Sequence, residues 1–191
     1  MLRNDRANPL PASPCRQGEE TSIRRAMESD AATLSELGTA TFVETFGHLY
    51  SPQDLQAFLD ESHTPQAYAK VLANPGYALW LAERDGRAIG YVQAGPCGLP
   101  HADVQAGDGE LKRLYLRAEA QNGGTGRALM DAAMAWLLRE GPRQLWLSVW
   151  SENLGAQRFY ARYGFAFAGE YEFIVGEQRD REFMYRRPRD A

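Results

Sequence analysis

The sequence predicts an α/β domain of the α+β kind, one central sheet bracketed by helices, and three observations carry that prediction. Apolar residues recur at helical spacing in some stretches and alternate with period two in others. The two kinds of stretch interleave, and no internal repeat is visible. The 191 residues suffice for one domain with a real core and are too few for two ordinary ones.

The elements follow in order. Residues 1–20, MLRNDRANPLPASPCRQGEE, are rich in proline and polar residues without periodicity, and read as a disordered or loosely tethered tail. TSIRRA (21–26) predicts a first strand. Asp30 is placed to cap a helix reaching about Tyr50, with Leu34, Leu37, Ala40, Phe42 and Phe46 as its apolar spine. Ser51 as N-cap, Pro52 at the first helical position and Asp54 in the first turn start a second helix. A short helix is predicted over 64–73. YALWLAERDGRAIGYVQAG (77–95) reads as two strands joined by a tight turn at Asp85-Gly86.

A loop with Pro96, Gly98 and Pro100 leads to a strand over 110–117. Ala128, Leu129, Ala132, Ala133, Trp136 and Leu137 then recur at helical spacing until Gly141-Pro142 stops the helix. In QLWLSVW (144–150), Leu145, Leu147 and Val149 alternate with Trp146, Ser148 and Trp150, a strand. A helix over 154–163 ends at Gly164, and the remainder predicts two or three strands with a turn near Gly176.

Composition excludes several functions. A net charge of −4 argues against non-specific binding to nucleic acid or an anionic membrane. No apolar run is long enough to span a membrane, and no signal-peptide core is present at the N-terminus. Cys15 and Cys97 lack CxxC spacing and His48, His63 and His101 form no ligand motif, so no metal is expected. Two spare thiols fit a reducing cytoplasm.

The stretch LKRLYLRAEAQNGGTGRALM (111–130) starts as a strand, passes through glycines and ends as a helix. Unpaired N–H groups and the dipole of a helix N-terminus favour an anion there, and glycines let a phosphate approach the backbone. A nucleotide P-loop requires lysine after its last glycine, and Gly126 is followed by Arg127. A dinucleotide fingerprint from Gly124 requires glycine at position 129, where Leu129 stands. Gln121-x-x-Gly124-x-Gly126 remains, and a tight turn without a ligand is the bland alternative.

That spacing resembles the pyrophosphate signature of the GCN5-related N-acetyltransferase (GNAT) family. ELKRLYL (110–116) is similar to the family's fourth strand, and LSVWSENLGAQRFYARYGF (147–165) to its second signature, so the resemblance covers roughly 21–188. It implies a GNAT fold with a mixed, mostly antiparallel twisted sheet of six to seven strands flanked by helices. It implies acetyl-CoA as co-substrate, no metal, and direct attack of a primary amine on the thioester. Leu114, Tyr115 and Leu116 would pair with pantetheine, Gln121, Asn122, Gly123, Gly124, Thr125, Gly126 and Arg127 would hold the pyrophosphate, and Asn153 would meet the cofactor or cap the following helix. Tyr160 would be the general acid and Glu110 the general base. Asn122-Gly123 stands where a basic residue is common in the family.

For the acceptor, ATFVETFGHLYSPQDLQAFL (40–59) and YEFIVGEQRDREFMYRR (171–187) resemble the PaiA-type spermine/spermidine acetyltransferases. Phe42, Phe46, Tyr50 and Tyr171 could wall an apolar channel, and Glu44, Asp54 or Glu172 could attract ammonium groups. The same residues could equally form the core and wet side of a helical cap. A protein N-terminus, an aminoglycoside, or a non-catalytic acyl-CoA-binding module stay open as alternatives. Such enzymes often dimerise through a sheet edge, so a homodimer is possible.

Overall fold

Strand alternation produces seven strands in one sheet. They are β1 (Thr21–Arg25), β2 (Ala78–Arg84), β3 (Arg87–Pro96), β4 (Gly109–Leu116), β5 (Leu145–Trp150), β6 (Ala166–Val175) and β7 (Gln178–Arg187), in the spatial order β1-β2-β3-β4-β5-β7-β6. The computed structural model describes residues 20–190, so the tail expected over 1–20 lies outside the described residues apart from Glu20. Every neighbouring pair is antiparallel except β4 and β5. The helices are α1 (Ala31–Phe46), α2 (Pro52–Ser62), α3 (Pro65–Leu72), α4 (Thr125–Leu137) and α5 (Leu154–Ala161).

The turn between β2 and β3 works as its residues require. Asp85 and Gly86 both take positive φ, 52° and 74°, the pair of left-handed conformations a two-residue hairpin needs. β3 is buried over Ile89–Gly95 because both faces of the sheet are covered. On one face, Val92, Ala94, Leu111, Leu145 and Leu147 pack against Leu129, Met130, Ala133 and Leu137 of α4. On the other, Leu79, Leu81 and Tyr91 pack against Leu34 and Leu37 of α1 and Tyr68 of α3. Each such leucine contributes roughly 1.5–3 kcal/mol by leaving water.

Two local expectations are corrected. Asp30 stands at the start of α1, yet its carboxylate does not cap that helix. It turns back to accept from the Met27 N–H at 2.7 Å and from both terminal nitrogens of Arg24 at 2.8 and 2.7 Å, because a buried carboxylate gains more from a guanidinium than from one N–H. α1 also ends at Phe46, and a 3₁₀ turn over Gly47–Leu49 leads to Tyr50 in extended conformation. After α5 there are two strands, joined at Gly176 with φ 59°. A Cβ there would run into the Asp54 carboxylate, so the β6–β7 turn lies directly on the start of α2.

The feature that positions the site is a split in the sheet. β4 and β5 pair only at Gly109–Leu145, Glu110–Trp146 and Leu111–Leu147. Just beyond, β4 bulges: Arg113 opposes Gln93 and Leu111 opposes Ala94, leaving Lys112 without a partner on β3. Past the bulge, Leu114–Leu116 of β4 and Ser148–Trp150 of β5 line the same cleft instead of pairing.

Candidate active site

A cleft of about 770 Å³ runs along this split, from the glycine turn to the aromatic residues of α1 and the carboxylates of β7. Its first end is made by the start of α4. Ser51 caps α2 by accepting from Asp54 N–H, Thr64 caps α3 from Ala67 N–H and Asn153 caps α5 from Ala156 N–H, at 3.1, 3.1 and 3.0 Å. α4 begins instead at Gly124, with φ 85° and no side-chain cap. Its first N–H groups are left for a partner from outside the helix, where the dipole favours an anion. A Cβ on Gly123 or Gly124 would meet nothing within 4 Å, so the approach to that backbone is open.

Of the residues expected at this end, Gln121, Asn122, Gly124, Gly126 and Arg127 line the cleft together with Leu114, Tyr115 and Leu116. Leu114 and Leu116 pack their side chains on the α4 core, whereas Tyr115 turns to the opposite face, 5.8 Å from the Tyr91 ring. Gly126 lies close to Leu116, 3.1 Å from where a Cβ would reach Leu116 Cδ1. Gly123 and Thr125 do not line the cleft. The Thr125 hydroxyl points into the protein, buried and without a partner among the described residues. The Arg127 side chain is 80% exposed and 3.7 Å from Asp131, a solvated pair.

The two residues expected to do chemistry both line the cleft. Tyr160 on α5 is buried beside Phe165 and Phe159. Burial pushes its hydroxyl well above the ordinary tyrosine range, with Tyr115 and Glu182 adding to the effect, so it keeps its proton at neutral pH. Glu110 is buried as well, and its Oε2 accepts from Gly98 N–H at 2.8 Å and from Lys112 Nζ at 2.7 Å. Asn153 both caps α5 and lines the cleft.

The far end is aromatic and acidic. Phe42, Phe46, Tyr50 and Tyr171 all line it. Phe42 stacks on Tyr50 and on Phe58, with ring centroids 5.9 and 4.6 Å apart, and Phe46 meets Trp150 edge-on at 5.8 Å. Tyr50 donates to the Asp180 carboxylate, and Tyr171 donates to Ser148 Oγ at 3.2 Å. The three carboxylates expected to draw in ammonium groups are not here. Glu44 lies 3.8 Å from Arg117, Asp54 accepts from Ser51 under the Gly176 turn, and Glu172 pairs with Arg179 at 3.0 Å on the outer side of the last hairpin. They fail because side chains alternate across a strand and around a helix, and these positions point outward.

Asp180 and Glu182 are the acids that line this end, and sequence reasoning passed over both. Glu182 is pushed up to about 7 by burial, against the Ser148 hydroxyl and with the nearby Asp180 adding to the rise. The available signal was the alternation of acids with Arg179 and Arg181 in QRDREFM, which places Asp180 and Glu182 on one face of β7. Arg113 was passed over too. Its Nη1 donates to the Tyr68 hydroxyl at 3.2 Å and to Ser62 O at 3.3 Å, and Tyr68 bonds Tyr91 and His63. Burial and then Arg113 push His63 down to about 3, so it is neutral.

No group of three or more His, Cys, Asp or Glu among the described residues could hold a metal ion, and no helix there is long and apolar enough to cross a membrane. Cys97 is a free thiol whose burial pushes it up to about 11, and Cys15 lies outside the described residues.

The cleft thus joins an uncapped helix N-terminus, beside a split parallel strand pair, to a protonated hydroxyl and carboxylates, an arrangement that suits an enzyme with an extended anionic co-substrate. Residues 41–165 match the acetyltransferase (GNAT) family. The chain is 30% identical over 156 residues to an uncharacterised N-acetyltransferase of Mycobacterium tuberculosis, covering 82% of this chain and 96% of that one. It is 28% identical over 165 residues to an uncharacterised N-acetyltransferase of Lactobacillus delbrueckii subsp. lactis, covering 86% and 95%. Its fold is similar to PaiA N-acetyltransferase of Thermoplasma acidophilum in complex with coenzyme A, with TM-score 0.70 and 21% identity over 88% of this chain and 99% of that one. The chain belongs to the acetyltransferase (GNAT) family and is an N-acetyltransferase of the acetyl-CoA-dependent type.

Proposed function

We propose that residues 21–188 form a cytoplasmic enzyme that moves the acetyl group of acetyl-CoA to a small, polyamine-like primary amine by direct attack. The observation that supports this most is the continuity of one cleft from the uncapped start of α4 to the aromatic, acidic end at β7. The residues present fit acetyl-CoA. The N–H groups of the Gln121–Arg127 turn suit a pyrophosphate, and the β4 backbone freed by the split suits an amide-bearing pantetheine arm. The bound thioester supplies an activated acyl group.

This chain's residues then have three tasks. The aromatic walls and the carboxylates at the far end hold an ammonium group and align it with the thioester. The amine nitrogen forms its bond to the acyl carbon, and the carbon–sulfur bond breaks as the tetrahedral adduct collapses. Tyr160 gives its proton to the departing sulfur. Glu110, firmly held by Gly98 and Lys112 but with Oε1 free of hydrogen bonds among the described residues, is placed to order a water that leads protons away.

The test is acetyl-CoA consumption, followed as free thiol, against spermidine, spermine, amino-acid amides, peptide N-termini and aminoglycosides. The polyamines are expected to react fastest, with a rate that falls as salt screens the attraction. If peptide N-termini win at low salt, the polyamine reading is wrong and the transferase reading stands. Binding of acetyl-CoA without thiol release from any amine would identify a non-catalytic binding module. A homodimer through a sheet edge belongs to the same reading, and sedimentation checks it.

A further inference from the structure

We propose that Glu182 is the catalytic carboxylate that takes the proton from the attacking amine. The inference rests on the transferase reading above and adds to it the identity of the base. Glu182 sits on β7 between Trp150 of β5 and Tyr171 of β6, one strand away from the split. Its charge acts on the hydroxyls of Tyr50, Tyr115, Tyr160 and Tyr171, which reach the cleft from four different segments. Glu182 lines the same cleft as all four, and Tyr160 is the group proposed to meet the sulfur.

Its environment differs from that of Glu110. Lys112 and a backbone N–H both hold Glu110 Oε2, and Lys112 pairs with it as an ion pair. Among the described residues, Glu182 has no ion pair: the arginines flanking it in β7, Arg181 and Arg179, pair with Glu170 and Glu172 on the outer side of the hairpin. The groups that face Glu182 are Asp180 from its own strand, Ser148 from β5, Tyr171 from β6, Tyr115 from β4, Tyr160 from α5 and Tyr50 from the turn after α1. On β4, Glu110 and Lys112 neutralise each other, and Arg113 is engaged by Tyr68 and Ser62. Burial, helped by Asp180 and opposed by Ser148, sets Glu182 near 7, where a base is both unprotonated and strong enough to work.

The protons balance. An ammonium group first loses one proton, as it binds, to the water that Glu110 orders. The neutral nitrogen attacks the acyl carbon, and its remaining excess proton passes to Glu182. The carbon–sulfur bond breaks, sulfur takes the Tyr160 proton, and Glu182 and Tyr160 return to their starting states by exchange with water.

The experiment is the pH dependence of kcat/KM for thiol release by wild type, E182Q, E182D and E110Q, alongside acetyl-CoA affinity of each. Wild type is expected to gain rate with unit slope as pH rises through about 7. E182Q should fall by roughly 10²–10⁴-fold and lose that limb, with acetyl-CoA affinity unchanged. E182D should recover part of the rate with the limb shifted, and E110Q should lower the rate while the limb stays near 7. A limb that persists in E182Q overturns the role of Glu182 and leaves the transferase reading intact. Wild type that releases no thiol with any amine overturns both. A carbon-13 titration of the Glu182 carboxyl in the wild-type protein gives a readout free of turnover, and a midpoint in the ordinary glutamate range overturns the role.

Discussion

The two ends of the cleft are built from different materials. At the cofactor end the chain offers main-chain N–H groups from one continuous stretch, β4 through the first turn of α4. At the end proposed for the acceptor it offers side chains from α1, α2, β4, β6 and β7, and the Tyr50–Asp180 bond alone joins residues 130 positions apart. A backbone site tolerates changes of side chain and fails when a Cβ or a new φ intrudes. A side-chain site has the opposite sensitivities, and it can be retuned without disturbing the fold. One chain can therefore hold a constant cofactor and still change its acceptor.

The largest effect that would break this contrast is at the chemistry between the two ends. Tyr160→Phe should reduce turnover by roughly 10²–10⁴-fold while acetyl-CoA affinity, measured by calorimetry, stays within about twofold. Unchanged turnover would remove Tyr160 from the mechanism. Next comes the backbone itself. Gly124→Val places a β-branched residue at φ 85°, a strain of about 1–3 kcal/mol, and should weaken acetyl-CoA binding by at least about tenfold. Gly123→Ala, whose Cβ meets nothing within 4 Å, should leave affinity nearly unchanged. Equal losses in both variants would show that side-chain space, and not backbone conformation, governs this end.

The acceptor end should reveal itself through stability. Glu182 is raised from its ordinary 4.5 to about 7 in the folded protein, so the folded state binds more protons than the unfolded one between those values. Stability is therefore fully present below about pH 4.5 as far as this group is concerned, and is lost as pH rises through about 7. The full loss is on the order of 3 kcal/mol. Glu182→Gln should raise Tm at pH 8 relative to wild type and narrow the difference at pH 4.5, read by thermal denaturation at both pH values. A smaller effect is expected at Asp180. Asp180→Asn should raise KM for spermidine several-fold more than KM for a simple monoamine, because one carboxylate facing a partly screened cation is worth about 1 kcal/mol. The smallest is at Arg127, 80% exposed and paired with Asp131, where Arg127→Gln should change acetyl-CoA affinity by no more than about threefold.

The same division explains what was legible before folding was considered. The glycine turn, the Ser51 cap of α2, the Asn153 cap of α5 and the Asp85-Gly86 hairpin were read correctly, since each depends on residues a few positions apart. Phe42, Phe46, Tyr50 and Tyr171 line the cleft, while Glu44, Asp54 and Glu172, expected beside them, do not. Aromatic residues in amphipathic stretches announce a buried face. A carboxylate announces nothing about its direction until the element carrying it has been packed.

By itself, then, the sequence determined the order and type of the elements, the mostly antiparallel sheet implied by the family resemblance, and the glycine turn that starts α4. These follow from periodicity, caps and glycine conformations, all set within a turn or two of chain. Only the tertiary structure decided that β4 and β5 part after three residue pairs, that Asp30 serves Arg24 instead of α1, and that Glu182 shares a cleft with Tyr160. The physical reason is that desolvation and charge at a site depend on every element packed around it. For Glu182 the groups that tune it, Ser148 and Asp180, lie on two strands brought side by side by the sheet.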